Sequence, residues 1–221
     1  MLESNQVIDW SAHVTMEGDQ SSETSPDRRQ ALVRAAFARI ASEGFEGLRT
    51  RDVAADVGVN ISTLHYYFPT KEALIRAVFG HAMRKFVVTM PTTGSPADQL
   101  RNHLSALRRL LKEDRELFVV LGELALRAPR DPVIATIVRD DDAWHLTVRD
   151  LLRRGIEQGS LSSDFDPDDA AAVVISAIRG VSVPTSASFR PERVDQTFRQ
   201  LERWLGLKPE KETDQGKESK L

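Results

Sequence analysis

The chain has 221 residues, with 30 basic against 33 acidic side chains for a net charge of −3, 41% hydrophobic residues and no cysteine. That length supports one large or two small domains with a buried core, and the missing cysteines exclude disulfides, thiolate metal sites and cysteine nucleophiles. No apolar run approaches the ~18 residues of a membrane span, and a net negative charge argues against coating a polyanion. The charge is unevenly placed. Residues 1–25 hold no basic and five acidic groups, residues 26–85 hold ten basic and six acidic, and residues 86–221 hold 20 and 22. The positive excess lies on one N-terminal segment, where phosphate contacts would need it.

Residues 1–25 lack the basic-then-apolar pattern of a signal peptide and read as a disordered polar tail, with a small apolar cluster at Val7, Ile8 and Trp10. Residues 28–43 predict an amphipathic helix with an apolar stripe of Leu32, Ala36, Phe37, Ile40 and Ala41. Gly44-Phe45-Glu46-Gly47 then forms a turn that drops Phe45 onto the bundle. Thr50 is expected to cap a short helix that turns Val53, Ala54 and Val57 inward. Gly58 is placed to end it in the left-handed conformation, and Val59 to plug the angle that follows. Asn60 can cap a second short helix through Tyr66, with Leu64 and Phe68 facing in. Thr70 caps the next helix, which runs to Phe86 on the inward positions Leu74, Val78, Ala82 and Phe86.

Everything further along also reads helical. Leu100, Leu104, Leu107 and Leu111 repeat at helical spacing, as do Leu117, Leu121, Leu124 and Ala128 before Pro129-Arg130-Asp131-Pro132 breaks the chain. One long helix is expected from about Val133 to Gln158, with Ile137, Trp144, Val148, Leu151 and Leu152 inside and Gly159-Ser160 at its end. Asp166-Pro167 starts another, with Asp168 and Asp169 complementing the helix dipole and a nearly all-apolar run through Val173, Val174, Ala177, Ile178 and Val181. The last helix runs from Pro191 to Leu205 on Val194, Phe198, Leu201 and Leu205. Met90–Pro96 and Val183–Ser188 are linker candidates, and a charged tail closes the chain. The expected class is all-α, without strands or repeats. Ser219-Lys220-Leu221 spells a peroxisomal address and Asn60-Ile61-Ser62 a glycosylation sequon; both three-residue matches are read as coincidence.

The segment from Thr50 to Lys71 has the pattern of a helix-turn-helix. Its second helix would expose Asn60, Ser62, Thr63, His65 and Tyr66, short or planar hydrogen-bonding groups that suit base edges and phosphate oxygens. An ordinary helical hairpin with a polar face is the plainer reading. Catalysis finds no support. His13, His65, His81, His103 and His145 include no pair three or four apart, so no helical metal pair exists. No serine elbow or phosphate-cradling glycine loop is present. Asp140, Asp141 and Asp142 would point in different directions on a helix and read as a solvated face. No metal or cofactor is expected.

The run from Arg28 to about Phe86, roughly a quarter of the chain, resembles the N-terminal domain of TetR-type transcriptional regulators. The likeness rests on Gly-Phe-x-Gly-x-x-Thr at 44–50, the Asp-Val-Ala helix, the Val-Gly-Val turn, and Tyr-Tyr-Phe-Pro-Thr-Lys-Glu-Ala-Leu at 66–74. The rest is similar in architecture only. The resemblance implies a DNA-binding domain at 26–72 and a helical effector-binding and dimerisation domain at 73–207, flanked by disordered tails at 1–25 and 208–221. It implies that Thr50 and Lys71 bind DNA phosphates at helix N-termini, where free amides already favour an anion. Tyr66 and Tyr67 would face the backbone and groove, and Asn60, Ile61, Ser62 and Thr63 would read bases. Position 65 departs from the pattern, because the usual tyrosine is His65, a shorter group that can donate or accept.

The same resemblance implies that the last two helices pair with their copies across a two-fold axis, through Ile175, Ile178, Arg179, Phe198, Leu201 and Trp204. Such a homodimer would bind an inverted-repeat operator on double-stranded DNA. An effector pocket is implied in the middle of the chain, with Phe86, Met90, His103, Leu107, Phe118, Leu121, Glu123, Trp144 and His145 as candidates. The expected protein is a cytoplasmic bacterial repressor released by an unknown small molecule, with the 70–86 helix as transmission element. The alternative is a helical small-molecule-binding or adaptor protein that does not read DNA.

Overall fold

The computed structural model describes residues 25–90, 92–138, 141–182 and 190–207, and every regular element among them is helical. Helix α1 (Ser25–Glu43) leads into a 3₁₀ turn at Phe45–Gly47, then α2 (Thr50–Asp56), α3 (Ile61–Tyr67) and α4 (Lys71–Val87). The body follows as α5 (Pro96–Glu113), α6 (Arg115–Arg127), α7 (Pro132–Ile137), α8 (Asp141–Glu157), α9 (Pro167–Ser182) and α10 (Pro191–Trp204). Residues 1–24 and 208–221 of the proposed tails, the Val183–Ser188 linker, Asp140 and the terminal tripeptide lie outside the described residues, and Ser25, expected in the tail, opens α1.

Local chemistry explains the head. The stripe Leu32, Val33, Ala36, Phe37 and Ile40 buries α1 against α4 and α6. Gly58 adopts φ 71°, and paired bonds from Val59 N to Ala54 O (2.9 Å) and Gly58 N to Ala55 O (3.0 Å) close α2 in a Schellman turn. Asn60 and Thr70 cap α3 and α4 as expected, accepting from the amides of Thr63 and Ala73. Thr50 does not cap α2. It is the first helical residue, Arg49 holds the cap position in extended conformation, and no side chain accepts from the first-turn amides.

A second correction concerns the long helix expected over 133–158. It is two helices: α7 ends at Ile137 with Val138 at its cap, and α8 starts afresh at Asp141. Val138 has left the α7 helix conformation at φ −96° and ψ 8°, and an aspartate at the start of α8 complements the helix dipole there. The expected inward positions hold on both sides of the break, with Ile137, Trp144, Val148, Leu151 and Leu152 all buried.

In the body, α8 packs on α5 and α9, and α10 lies against α5 and α9. Leu100, Leu104, Leu107, Val148, Leu152, Val174 and Phe198 fill this layer. The Asp195 carboxylate fastens α10 to α5, taking Arg108 Nε at 2.7 Å and Lys112 Nζ at 3.1 Å. These cations, Arg108 first, hold Asp195 below the usual carboxylate range. No helix among the described residues is long and apolar enough to cross a membrane.

Candidate nucleic-acid interface and ligand cavity

Helix α3 is pinned on one side and open on the other. Leu64 and Phe68 are buried beneath it, while Asn60, Ser62, His65 and Tyr66 are exposed, Tyr66 to 79%. Ile61, Thr63 and Tyr67 are half-buried. Asn60 Oδ1 accepts from Thr63 N at 2.7 Å and from Thr63 Oγ1 at 3.0 Å. Asn60 therefore presents its amide N–H groups outward, its oxygen being committed to the cap. Tyr66 and Tyr67 meet edge to face at 5.2 Å, which stiffens the C-terminal end of this surface.

Basic groups flank the helix. Lys71 is exposed at the start of α4 with its Nζ 5.3 Å from the Phe45 ring centroid. Thr50 opens α2 between the exposed Arg49 and Arg51, which were not singled out from the sequence although they bracket Thr50 there. The carboxylates of α2 are turned away into ion pairs: Arg39 of α1 holds Asp56 (Nη2–Oδ1 2.9 Å) and lies 3.7 Å from Asp52. Arg39 also keeps Asp56 below its ordinary carboxylate range. The result is a polar, hydrogen-bond-rich helix with cationic shoulders, suited to a groove lined with phosphates.

A cavity of about 280 Å³ opens in the body between α4, α6, α8 and α9. Of the residues expected there, Phe86, Phe118, Leu121 and Trp144 line it, joined by Phe79, Met83 and Gly122. His103, Leu107 and His145 do not line it. Leu107 is wholly buried in the α5 core, and His145 is half-buried on a different side of α8 from Trp144. Glu123 points elsewhere too, with Oε2 accepting from the amide of Phe45 at 3.1 Å.

His103 sits directly behind the cavity wall. Trp144 Nε1 donates to His103 Nε2 at 2.9 Å, and an indole N–H can only donate. The ring proton is thereby assigned to Nδ1, which lies 3.0 Å from both Thr89 O and Thr89 Oγ1, while Thr89 Oγ1 donates to Phe86 O. Burial pushes the His103 pKa down to about 4, so the ring is neutral. His103 thus positions Trp144 against Phe86, their rings 5.1 Å apart and nearly perpendicular.

Ile175, Ile178, Phe198 and Leu201, four of the six residues expected at a dimer surface, are buried within the chain itself. Helix α9 is apolar on more than one side, and the stripe Ala171, Val174, Ile175 and Ile178 serves the protomer's own core. Ile178 and Arg179 also line the cavity. Trp204 remains 42% exposed, tilted against Phe165.

Residues 32–78 match the family described as bacterial regulatory proteins, tetR family, and residues 96–206 match the C-terminal part of the BetI-type transcriptional repressor. The chain is 25% identical over 148 residues to the HTH-type transcriptional regulator LuxR of Vibrio harveyi, covering 65% of this chain and 72% of that one. A TetR transcription regulator from Haloarcula marismortui superposes with a TM-score of 0.73 at 20% identity, over 82% of this chain and 97% of the other. AibR, crystallised with isovaleryl coenzyme A and operator DNA, has a TM-score of 0.62 at 19% identity, over 79% and 97%. At these identities the two structures speak to the fold alone.

Proposed function

Because the chain belongs to the TetR family of bacterial regulatory proteins and is a DNA-binding transcriptional regulator, we propose that it is a homodimeric repressor, held on an inverted-repeat operator and released when a small molecule fills the cavity. The observation that carries this reading is the double duty of α6. Leu121, Gly122 and Ala125 form cavity wall, while Glu123 and Arg127 of the same helix grip the turn ahead of the motif. Glu123 holds the Phe45 amide, Arg127 pairs with Glu46, and the Arg127 guanidinium stacks 4.3 Å from the Phe45 ring. Lys71 rests near that same ring. A ligand that displaces α6 moves Phe45, and with it Lys71 and the start of α2. Helix α4 gives a parallel route, from Lys71 to the cavity residue Phe86.

In this reading Thr50 and Lys71 take phosphates, aided by the uncapped first-turn amides of α2. Asn60, Ser62, Thr63 and His65 meet base edges, Ile61 offers apolar contact, and Tyr66 and Tyr67 brace the backbone. The partner protomer docks on the outer face of α9, where Ala172, Val173, Ser176 and Gly180 are exposed, together with Arg179 and Trp204. Small residues let two such helices approach closely. A two-fold dimer must set its α3 helices ~34 Å apart, or a multiple of that, to meet successive major grooves.

Fluorescence anisotropy on the DNA upstream of the coding region, paired with ligand calorimetry, tests the reading. Ligand and operator must weaken one another by the same factor, typically ~1–3 kcal/mol of coupling. Glu123→Ala should keep both binding events and reduce that factor. Unchanged coupling in the variant removes α6 as the transmitter. A wild-type chain that stays monomeric at micromolar concentration by light scattering, or a Val173→Glu variant that stays dimeric, removes the proposed interface.

A further inference from the structure

We propose that the DNA interface extends past the motif onto the body, where Arg130 on the turn between α6 and α7 takes a flanking backbone phosphate. This rests on the reading of the α3 and Lys71 face as the DNA surface. One aromatic ring brings the turn to that face. The Arg127 guanidinium lies 4.3 Å from the Phe45 ring centroid and Lys71 Nζ 5.3 Å from the same centroid. The last turn of α6 and the first turn of α4 therefore meet on Phe45. Directly after Arg127 the chain folds tightly, the amides of Arg130 and Asp131 both donating to Arg127 O, at 2.8 and 3.0 Å. Helix α7, which starts there, packs on α4 as well as on α6.

The charges of this corner are committed unevenly. Glu46 pairs with Arg127, and Asp131 accepts from the amides of Val133 and Ile134. Glu72, next to Lys71, is held below its ordinary carboxylate range by hydrogen bonds from its own amide and from Thr70, while nearby Asp131 pushes the other way. Each of these carboxylates thus has a partner inside the protein. Arg130 is exposed and makes no hydrogen bond or ion pair with a described residue. Other arginines of the body are matched: Arg101, Arg108, Arg153 and Arg154 all hold carboxylates. A phosphate supplies the oxygens that Arg130 lacks, and its forked donors fit such an anion in a bidentate manner. The contact would let the helix that walls the cavity touch DNA without passing through the motif.

The test uses the full chain and a DNA duplex of arbitrary sequence, because phosphate contacts carry no sequence information. Anisotropy over a salt series gives the slope of log affinity against log salt. Arg130→Gln should lower that slope by about 1 per protomer. Arg109→Gln removes the same charge from an exposed arginine of α5 and should leave the slope at the wild-type value. The chain has no cysteine, so Arg130→Cys carries a single thiol for an azidophenacyl photocrosslinker. That label should trap the duplex several-fold more than the same label on Arg109→Cys. Three outcomes overturn the proposal: an unchanged slope in Arg130→Gln, an equal drop in Arg109→Gln, or crosslinking no greater at position 130 than at 109. Lys71→Ala runs in parallel. A wild-type slope in Lys71→Ala, with position 130 passing both tests, refutes Lys71 as a phosphate ligand and leaves the Arg130 contact standing.

Discussion

The α3 surface and the cavity wall are both made of aromatic rings and a few polar groups, yet they are put together in opposite ways. The surface comes from one seven-residue helix whose internal hydrogen bonds span three positions, Asn60 to Thr63. The cavity draws on four helices, and its key bond, Trp144 to His103, joins residues 41 apart. On α3 the side-chain contacts join near neighbours in the chain, Asn60 with Thr63 and Tyr66 with Tyr67, above a buried Leu64 and Phe68. Around the cavity, Phe86, His103, Thr89 and Trp144 form one connected set. Surface positions can therefore change singly, whereas cavity positions respond together.

The largest expected effect lies beneath the surface. Phe68→Ala should cost about 3–5 kcal/mol in urea unfolding, whereas Tyr66→Ala should stay within about 0.5 kcal/mol and act on DNA affinity instead. Comparable stability losses for the two would erase the distinction between base and face of α3.

Acid comes next and acts on the cavity. His103 titrates at about 4 in the folded chain, against ~6.5 when unfolded. Above about pH 6.5 both states are neutral there and the contribution is constant. Below it the unfolded chain takes a proton that the folded chain refuses, so stability falls as pH drops toward 4, by about 3 kcal/mol in all. His81, lowered by burial first and then by Lys85 and Arg84, works in the same direction. Melting curves from pH 8 to 5 should be flatter for His103→Gln than for the wild type; parallel curves would remove His103 as the source.

On the open face, Asn60→Ala should cost ~1 kcal/mol of stability as a lost cap and ~1–3 kcal/mol of binding on the preferred site. Lys71→Ala should weaken binding about equally on all sequences and lower the salt slope by about 1. Anisotropy titrations over a salt series separate the two, and a sequence-selective loss in Lys71→Ala would reassign it to base reading.

The smallest effect is a difference of differences. Ser62→Ala with Tyr66→Ala should add within about 0.3–0.5 kcal/mol in stability, while Phe86→Leu with Trp144→Phe should depart from additivity by more than about 0.5 kcal/mol. Additive behaviour at the cavity would mean that its aromatic set is not connected.

The sequence by itself determined the head. Gly58, Asn60 and Thr70 act on amides within a few residues, and Leu64 with Phe68 follow helical spacing, so local rules were enough to place α3, α4 and their exposed faces. Local rules also erred locally, at Thr50, where the chain leaves the cap position to Arg49, and at Val138, which ends α7 where one long helix was expected. Only the tertiary structure decided the cavity. Nothing in the spacing of Gly122, Trp144 and Arg179 brings them together, and nothing near His103 names Trp144 as its partner, because those contacts exist only once α4, α6, α8 and α9 have packed. The same holds for α9: its sequence is apolar on more than one side, and packing against α8 and α10 chose which stripe the protomer keeps for itself and which it leaves exposed.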